Sequence, residues 1–265
     1  MPRYRLTIEY DGQGLVGWQR QDNGDSVQGR IEAALAAYCG RPVTLYGAGR
    51  TDAGVHALGQ VAHADLPRAD SGITVRNALN FYLDDGPVTI LAAEQVDDGF
   101  HARFDAIRRT YRYRILDRRA PPALDRFRVW HVRGVLDVAA MNAAAALLVG
   151  THDFSAFRSA HCQSASPVKT LEGLEVARHG SEVVVTAQAR SFLHSQVRIL
   201  VGTLERVGAG RWDLERVRRA LEIRTRSAGG PTAPPEGLYL VSVDYPTTAV
   251  TASPVPNTAN TPCIT

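Results

Sequence analysis

The chain has 265 residues, 45% of them hydrophobic, and a net charge of +3. This is the composition of an ordinary folded protein with room for one large or two small cores. It excludes a helical membrane span, because no apolar run is long enough, and the mild positive charge is by itself weak evidence for a nucleic-acid partner.

Arg3 to Tyr10 alternates polar and apolar residues and reads as a strand. Asp25 and Gln28 have capping-box spacing, and Val27, Ile31, Ala34, Leu35 and Tyr38 recur at helical intervals until Gly40 stops the pattern. Val43 to Tyr46 reads as a strand, and Gly59 to Ala64 as a half-buried one. Thr74 to Leu83 predicts a helix, and Val88 to Val96 and Arg108 to Leu116 predict strands.

Residues 118–135, with Ala120-Pro121-Pro122 and mixed charge, look like a connector between an N-terminal half, 1–117, and a C-terminal half, 136–246. In the second half Asp137 caps an Ala-rich helix ending near Gly150. Val168 to Ala177 and Glu182 to Ala189 pair as a hairpin, Phe192 to Val207 and Leu214 to Glu222 read as helices, and Leu238 to Tyr245 as a last strand. Helices mixed with paired strands give an α+β class. The segment 247–265, uncharged and rich in Thr, Pro, Ala and Asn, is expected to be disordered.

Cys39, Cys162 and Cys263 fit neither a disulfide framework nor metal-ligand spacing, and Met1 to Arg5 leads into a strand without signal-peptide features; the expectation is a cytoplasmic protein. Lys169 is the only lysine. An arginine bias follows from a G+C-rich genome or from phosphate recognition. The clusters Arg108-Arg109 with Arg112 and Arg114, and Arg118-Arg119, suit a phosphate-binding face and a solvated strand face equally.

The segment Gly49-Arg50-Thr51-Asp52-Ala53-Gly54-Val55-His56-Ala57 carries the chemistry. Its glycines permit sharp turns and positive φ, so Asp52 is expected on a tight loop between strands. A nearby guanidinium favours an ionised carboxylate, and an ionised carboxylate in a cleft acts as a nucleophile. The bland alternative is a surface ion pair or an Asx turn. His56 and His63 near Asp52 raise a metal site as a further reading, but a glycine loop does not put Asp52 and His56 on one helix face and no HExxH frame is present, so no metal is expected.

The nine-residue segment closely resembles the signature of the tRNA pseudouridine synthase A family. Further stretches match in family order across residues 3 to 246: Tyr10-Asp11-Gly12 with Gly17 to Gln21 and Ser26 to Gly29, Phe100 to Phe104 with Arg109 to Tyr113, and His152 to Phe157 with Cys162 to Ser164. Phe192 to Arg198 with Val201-Gly202, and Glu236 to Leu240 with Val243 to Tyr245, complete the set. The resemblance implies a pseudouridine synthase fold: two similar α+β halves sharing a mixed, mostly antiparallel sheet, with the active cleft between them. It implies isomerisation of uridine to pseudouridine at positions 38, 39 and 40 of the tRNA anticodon stem-loop, by a homodimer, without cofactor or metal.

By the same resemblance Asp52 is the nucleophile, attacking C6 of the base or assisting at C1′. Arg198 pairs with Asp52, Tyr111 packs on the uracil and is the candidate for moving the C5 proton, and Arg50 fills the gap left by the flipped base. Phe100, His101, Ala102, Arg103 and Phe104, together with Cys162, Gln163 and Ser164, are expected to touch RNA, with Arg119 and Arg68 on phosphates. Taken singly, Tyr111 reads as packed core and Arg198 as a surface helix residue. His194 reads as structural or RNA-adjacent. The departures from the family pattern at Arg114, His161, Ala165 and Ser195 are expected to leave the nucleophile loop untouched. The reading from another class is an RNA-binding protein without catalysis; a metal-dependent hydrolase is a distant third, and a further reading keeps the chemistry and changes the RNA target.

Overall fold

In a computed structural model, which describes residues 1–22 and 24–246, the chain orders as β1 Arg3–Tyr10, α1 Val27–Cys39, β2 Tyr46–Gly47, β3 His56–Asp65, α2 Gly72–Leu83, β4 Val88–Val96 and β5 Arg108–Leu116. It continues through β6 Trp130–His131, α3 Val138–Leu148, β7 Gly150–Asp153, β8 Val168–His179, β9 Glu182–Ala189, α4 Gln196–Gly208, α5 Leu214–Ile223 and β10 Leu238–Asp244. The strands form one sheet in the order β4-β1-β3-β10-β5-β9-β8-β7, with β2 beside β3 and β6 beside β5. Pairing is antiparallel except for β3 with β10 and β5 with β6. The fold is α+β with a mixed, mostly antiparallel sheet.

Two hydrophobic cores lie along this sheet. The first gathers Leu6, Ile8, Ile31, Leu35, Leu79 and Ile90 from β1, α1, α2 and β4; the second gathers Ile115, Leu148, Val185, Leu200, Leu204 and Val217 from β5, α3, β9, α4 and α5. The two central strands cross between them. Tyr113 and Ile115 of β5 belong to the second core, and Leu240 and Val243 of β10 to the first. Tyr111, on β5 between these regions, packs against both cores.

Local chemistry explains where elements differ from the sequence reading. Val43 to Leu45 is not a strand: the Leu45 N–H donates to Glu32 and its carbonyl accepts from Gln28, so side chains of α1 take the groups a ladder would need. The α1 cap is Ser26, whose Oγ accepts from Gly29 N–H at 3.2 Å, while Asp25 pairs with Arg30. β3 is buried along nearly its whole length because it lies between β1 and β10. β7, absent from the sequence reading, pairs with the start of β8. α4 begins at Gln196 rather than Phe192, because Ser195 turns the chain at φ 58°. The tail expected to be disordered, and Cys263 within it, lie outside the described residues.

Candidate active site

The Asp52 loop leaves the first core and is held by neighbours already fixed in the sheet. Tyr10 Oη and Thr51 Oγ1 lie 2.8 Å apart, Trp18 N–H donates to Thr51 O at 3.1 Å, and Gln60 Nε2 donates to Gly49 O at 2.9 Å. Val55 N–H closes the turn on Asp52 O at 3.2 Å, and Gly54 supplies the φ of 76° that the turn requires. His56 anchors the far end. Its Nδ1 accepts from Gly12 N–H at 3.1 Å, its Nε2 faces Phe127 O at 3.2 Å, and its ring stacks on Tyr239 at 4.7 Å. Burial pushes this imidazole down from its ordinary pKa, against the pull of Asp11.

The loop's entry is fixed by Arg109. Its Nη2 donates to Ala48 O at 2.7 Å and Arg103 O at 2.9 Å, and its Nη1 to Ala106 O and Arg190 O. One buried guanidinium thus joins the Asp52 loop, the 100–104 turn and the segment leading to α4; burial lowers its pKa. Arg109 is therefore no phosphate ligand. Arg108 pairs with Glu172, and Arg114 with Glu182 and Asp125, so these members of the predicted basic cluster are tied up within the protein.

The second core delivers the partners of Asp52. Arg198, in the first turn of α4, donates from Nη1 to Asp52 Oδ2 at 2.8 Å, while its Nε donates to Ala233 O at 2.8 Å. Ser195 Oγ donates to the same Oδ2 at 2.9 Å, and His194 Nε2 lies 3.4 Å from Oδ1. The expectation that Ser195 would not touch the nucleophile loop is therefore wrong. The apolar spacing places it inside a continuous helix, whereas the left-handed turn aims its hydroxyl at the carboxylate. His194 likewise faces Asp52 directly. The guanidinium paired with Asp52 is that of Arg198; Arg50 stands exposed on the loop.

Tyr111 lies edge-on to Phe192, with ring centroids 5.2 Å apart. Burial first, and the Asp52 charge as well, push its phenol up to about 12 against the opposing influence of Arg109. The hydroxyl is therefore protonated at neutral pH. The structure thus brings together Asp52, Arg198 and Tyr111, and adds Ser195 and His194. Such a group can present a hydrogen-bonded carboxylate and a neutral phenol to a substrate.

The expected RNA contacts divide by burial. Phe100 and Ala102 are buried, Phe100 against Tyr245 and His63, so their side chains serve the core. His101 is half-buried, and Arg103 and Phe104 are exposed. Phe104 tilts against His101 at 4.3 Å, His101 meets His63 at 4.7 Å, and His63 stacks on half-exposed Tyr46 at 5.0 Å. Tyr46 was missed as a site candidate because it was counted only as a strand residue. Cys162 packs against the second core, Gln163 is exposed, and Ser164 Oγ bonds to Ser166 O. This segment reaches the site through Ser159 N–H, which donates to His194 O at 3.0 Å. Arg119 stands exposed on the connector, and Arg68 is paired with Asp70. His56 and His63 each give Nδ1 to a backbone N–H.

Comparison with known proteins gives this geometry a lineage. A family model described as tRNA pseudouridine synthase matches residues 6–105 and 144–246. A Rhodospirillum rubrum protein named tRNA pseudouridine synthase A is 58% identical over 246 residues, covering 93% of this chain and 88% of the relative. Proteins of the same name are 56% identical in Maricaulis maris, covering 93% and 99%, and 57% identical in Caulobacter vibrioides, covering 92% and 99%.

Proposed function

The chain belongs to the tRNA pseudouridine synthase family, and from that premise we propose that it isomerises uridine to pseudouridine at positions 38, 39 and 40 of the tRNA anticodon stem-loop. The observation that carries this reading is the Asp52 carboxylate, held by Arg198 across the junction of two cores and within the field of Tyr111. The reaction breaks the N1–C1′ bond and joins C1′ to C5; the C5 proton leaves and N1 takes one up. Nothing is oxidised or transferred to water, so the chemistry calls for no cofactor.

Asp52 acts as the nucleophile, at C6 or at C1′, and the Arg198 and Ser195 donors hold its carboxylate in place. The uridine leaves its stack at a cost of a few kcal/mol. Exposed Arg50 fills the vacated space, and Tyr111 packs on the uracil and carries a proton at its hydroxyl. Arg103, His101, Phe104 and Tyr46 suit unpaired bases and phosphates near the loop, since splayed bases stack on aromatic and guanidinium planes. The Cys162-Gln163-Ser164 segment and Arg119 extend the RNA contact. The division into lobes 1–117 and 136–246, a homodimer that shares one tRNA between subunits, and a cytoplasmic location belong to the same proposal.

The test is tritium release from tRNA carrying [5-³H]uridine, for the wild type and Asp52→Asn, with chelator present. Release by the wild type alone is the expected result, with tRNA binding retained by the variant. Release by Asp52→Asn would remove the nucleophile role. Tight RNA binding without release from any tRNA would favour an RNA-binding protein without catalysis.

A further inference from the structure

Ser195 departs from two local preferences at once. It is a non-glycine residue at φ 58° and ψ 13°, a conformation that disfavours L side chains. It also occupies the N-cap of α4, where a serine hydroxyl usually accepts from the helix's own N–H groups; here it makes no such bond. The hydroxyl instead donates to Asp52 Oδ2 at 2.9 Å. Departures of this kind gather where geometry serves function.

The turn that presents Ser195 is built without its side chain. Leu193 N–H donates to Gln196 Oε1 at 2.8 Å, Gln196 N–H returns to Leu193 O at 3.0 Å, and Ile199 N–H takes Ser195 O. Gln196 is buried. Arg198 alone would leave the carboxylate free to rotate about its last torsion. A second donor on the same oxygen removes that freedom and makes the two oxygens unequal: among the described residues Oδ2 carries Ser195 and Arg198, whereas Oδ1 faces His194 Nε2 at 3.4 Å.

We propose that Ser195 is a positioning residue for the nucleophile: its hydroxyl and Arg198 together anchor Oδ2 of Asp52, so that Oδ1 is the oxygen presented to the substrate. This rests on the assignment of Asp52 as nucleophile. The proposal therefore separates two effects of Ser195, a backbone cost and a hydroxyl benefit, that glycine and asparagine distinguish. Glycine relieves the left-handed conformation and deletes the donor. Asparagine tolerates that conformation and keeps an N–H donor.

The experiment is single-turnover tritium release from [5-³H]uridine tRNA, with tRNA affinity and melting temperature measured alongside. Wild type and Asp52→Asn are run first; absence of Asp52-dependent release counts against the nucleophile assignment itself. Given that release, Ser195→Gly is expected to lose about tenfold in rate, the scale of one hydrogen bond, with unchanged tRNA affinity and an equal or higher melting temperature. Ser195→Asn is expected to recover part of the loss. A wild-type rate in Ser195→Gly, a loss that tracks tRNA affinity, or equal rates in the glycine and asparagine variants would overturn the proposal.

Discussion

The two segments that meet at Asp52 are held in opposite ways. The loop from Ala48 to His56 is clamped by residues outside it, Tyr10, Trp18, Gln60 and Arg109, with Thr51 and His56 the loop side chains that meet such clamps. The turn from Phe192 to Ser195 shapes itself through the Leu193–Gln196 exchange and spends its polar groups on the other segment. The lesson is a division of labour: the first segment depends on the fold for its position, and the second supplies the contacts that orient the Asp52 carboxylate.

That contrast breaks most visibly at Arg109. Arg109→Met leaves the buried carbonyls of Ala48 and Ala106, and the partly buried ones of Arg103 and Arg190, without this donor, and should cost about 4 kcal/mol of stability. Urea unfolding measures it; a loss under about 1 kcal/mol would show that the first loop does not need its clamp. Acid probes the same side. Burial, with His101 and Arg3 adding to it, pushes His63 down to about 4. An unfolded chain protonates this ring near pH 6.5, so the unfolded state binds the extra proton between there and pH 4, and stability falls as pH drops through that window. The loss is at most about 3 kcal/mol, and unfolding curves at stepped pH for wild type and His63→Asn should differ in slope across it. The second segment behaves differently: Arg198→Met should keep a near-native melting temperature while single-turnover rate falls about a hundredfold. A parallel collapse of melting temperature would erase the distinction.

What the sequence made legible follows the same line. The Asp52 loop was readable because glycine spacing and flanking strands are local signals. Long strands and amphipathic helices were readable for the same reason. The basic cluster stayed undecided between a phosphate-binding face and a solvated strand face because its carboxylate partners lie far along the chain: Glu172 is 64 residues from Arg108, and Glu182 is 68 from Arg114. Phe100 and Ala102 were assigned to RNA because nothing local in a loop tells which side chains turn inward. The start of α4 was placed four residues early because apolar spacing runs through Ser195 without registering its φ, and with it went the contact to Asp52.

The central position of β10 has a consequence for how the protein is made. This strand, residues 238 to 244, lies between β3 and β5 and joins the two parts of the sheet. During synthesis β1, β3 and β4 can pair early, as can β8 and β9 later, but the middle of the sheet stays unfilled until residue 244 has emerged. Pairings of such long sequence separation form slowly, and an unpaired strand edge invites association with other chains. The junction that carries Asp52 is thus completed last, so a truncated product ending before residue 238 would keep Asp52, Tyr111, Ser195 and Arg198 and still lack the strand that joins the two cores.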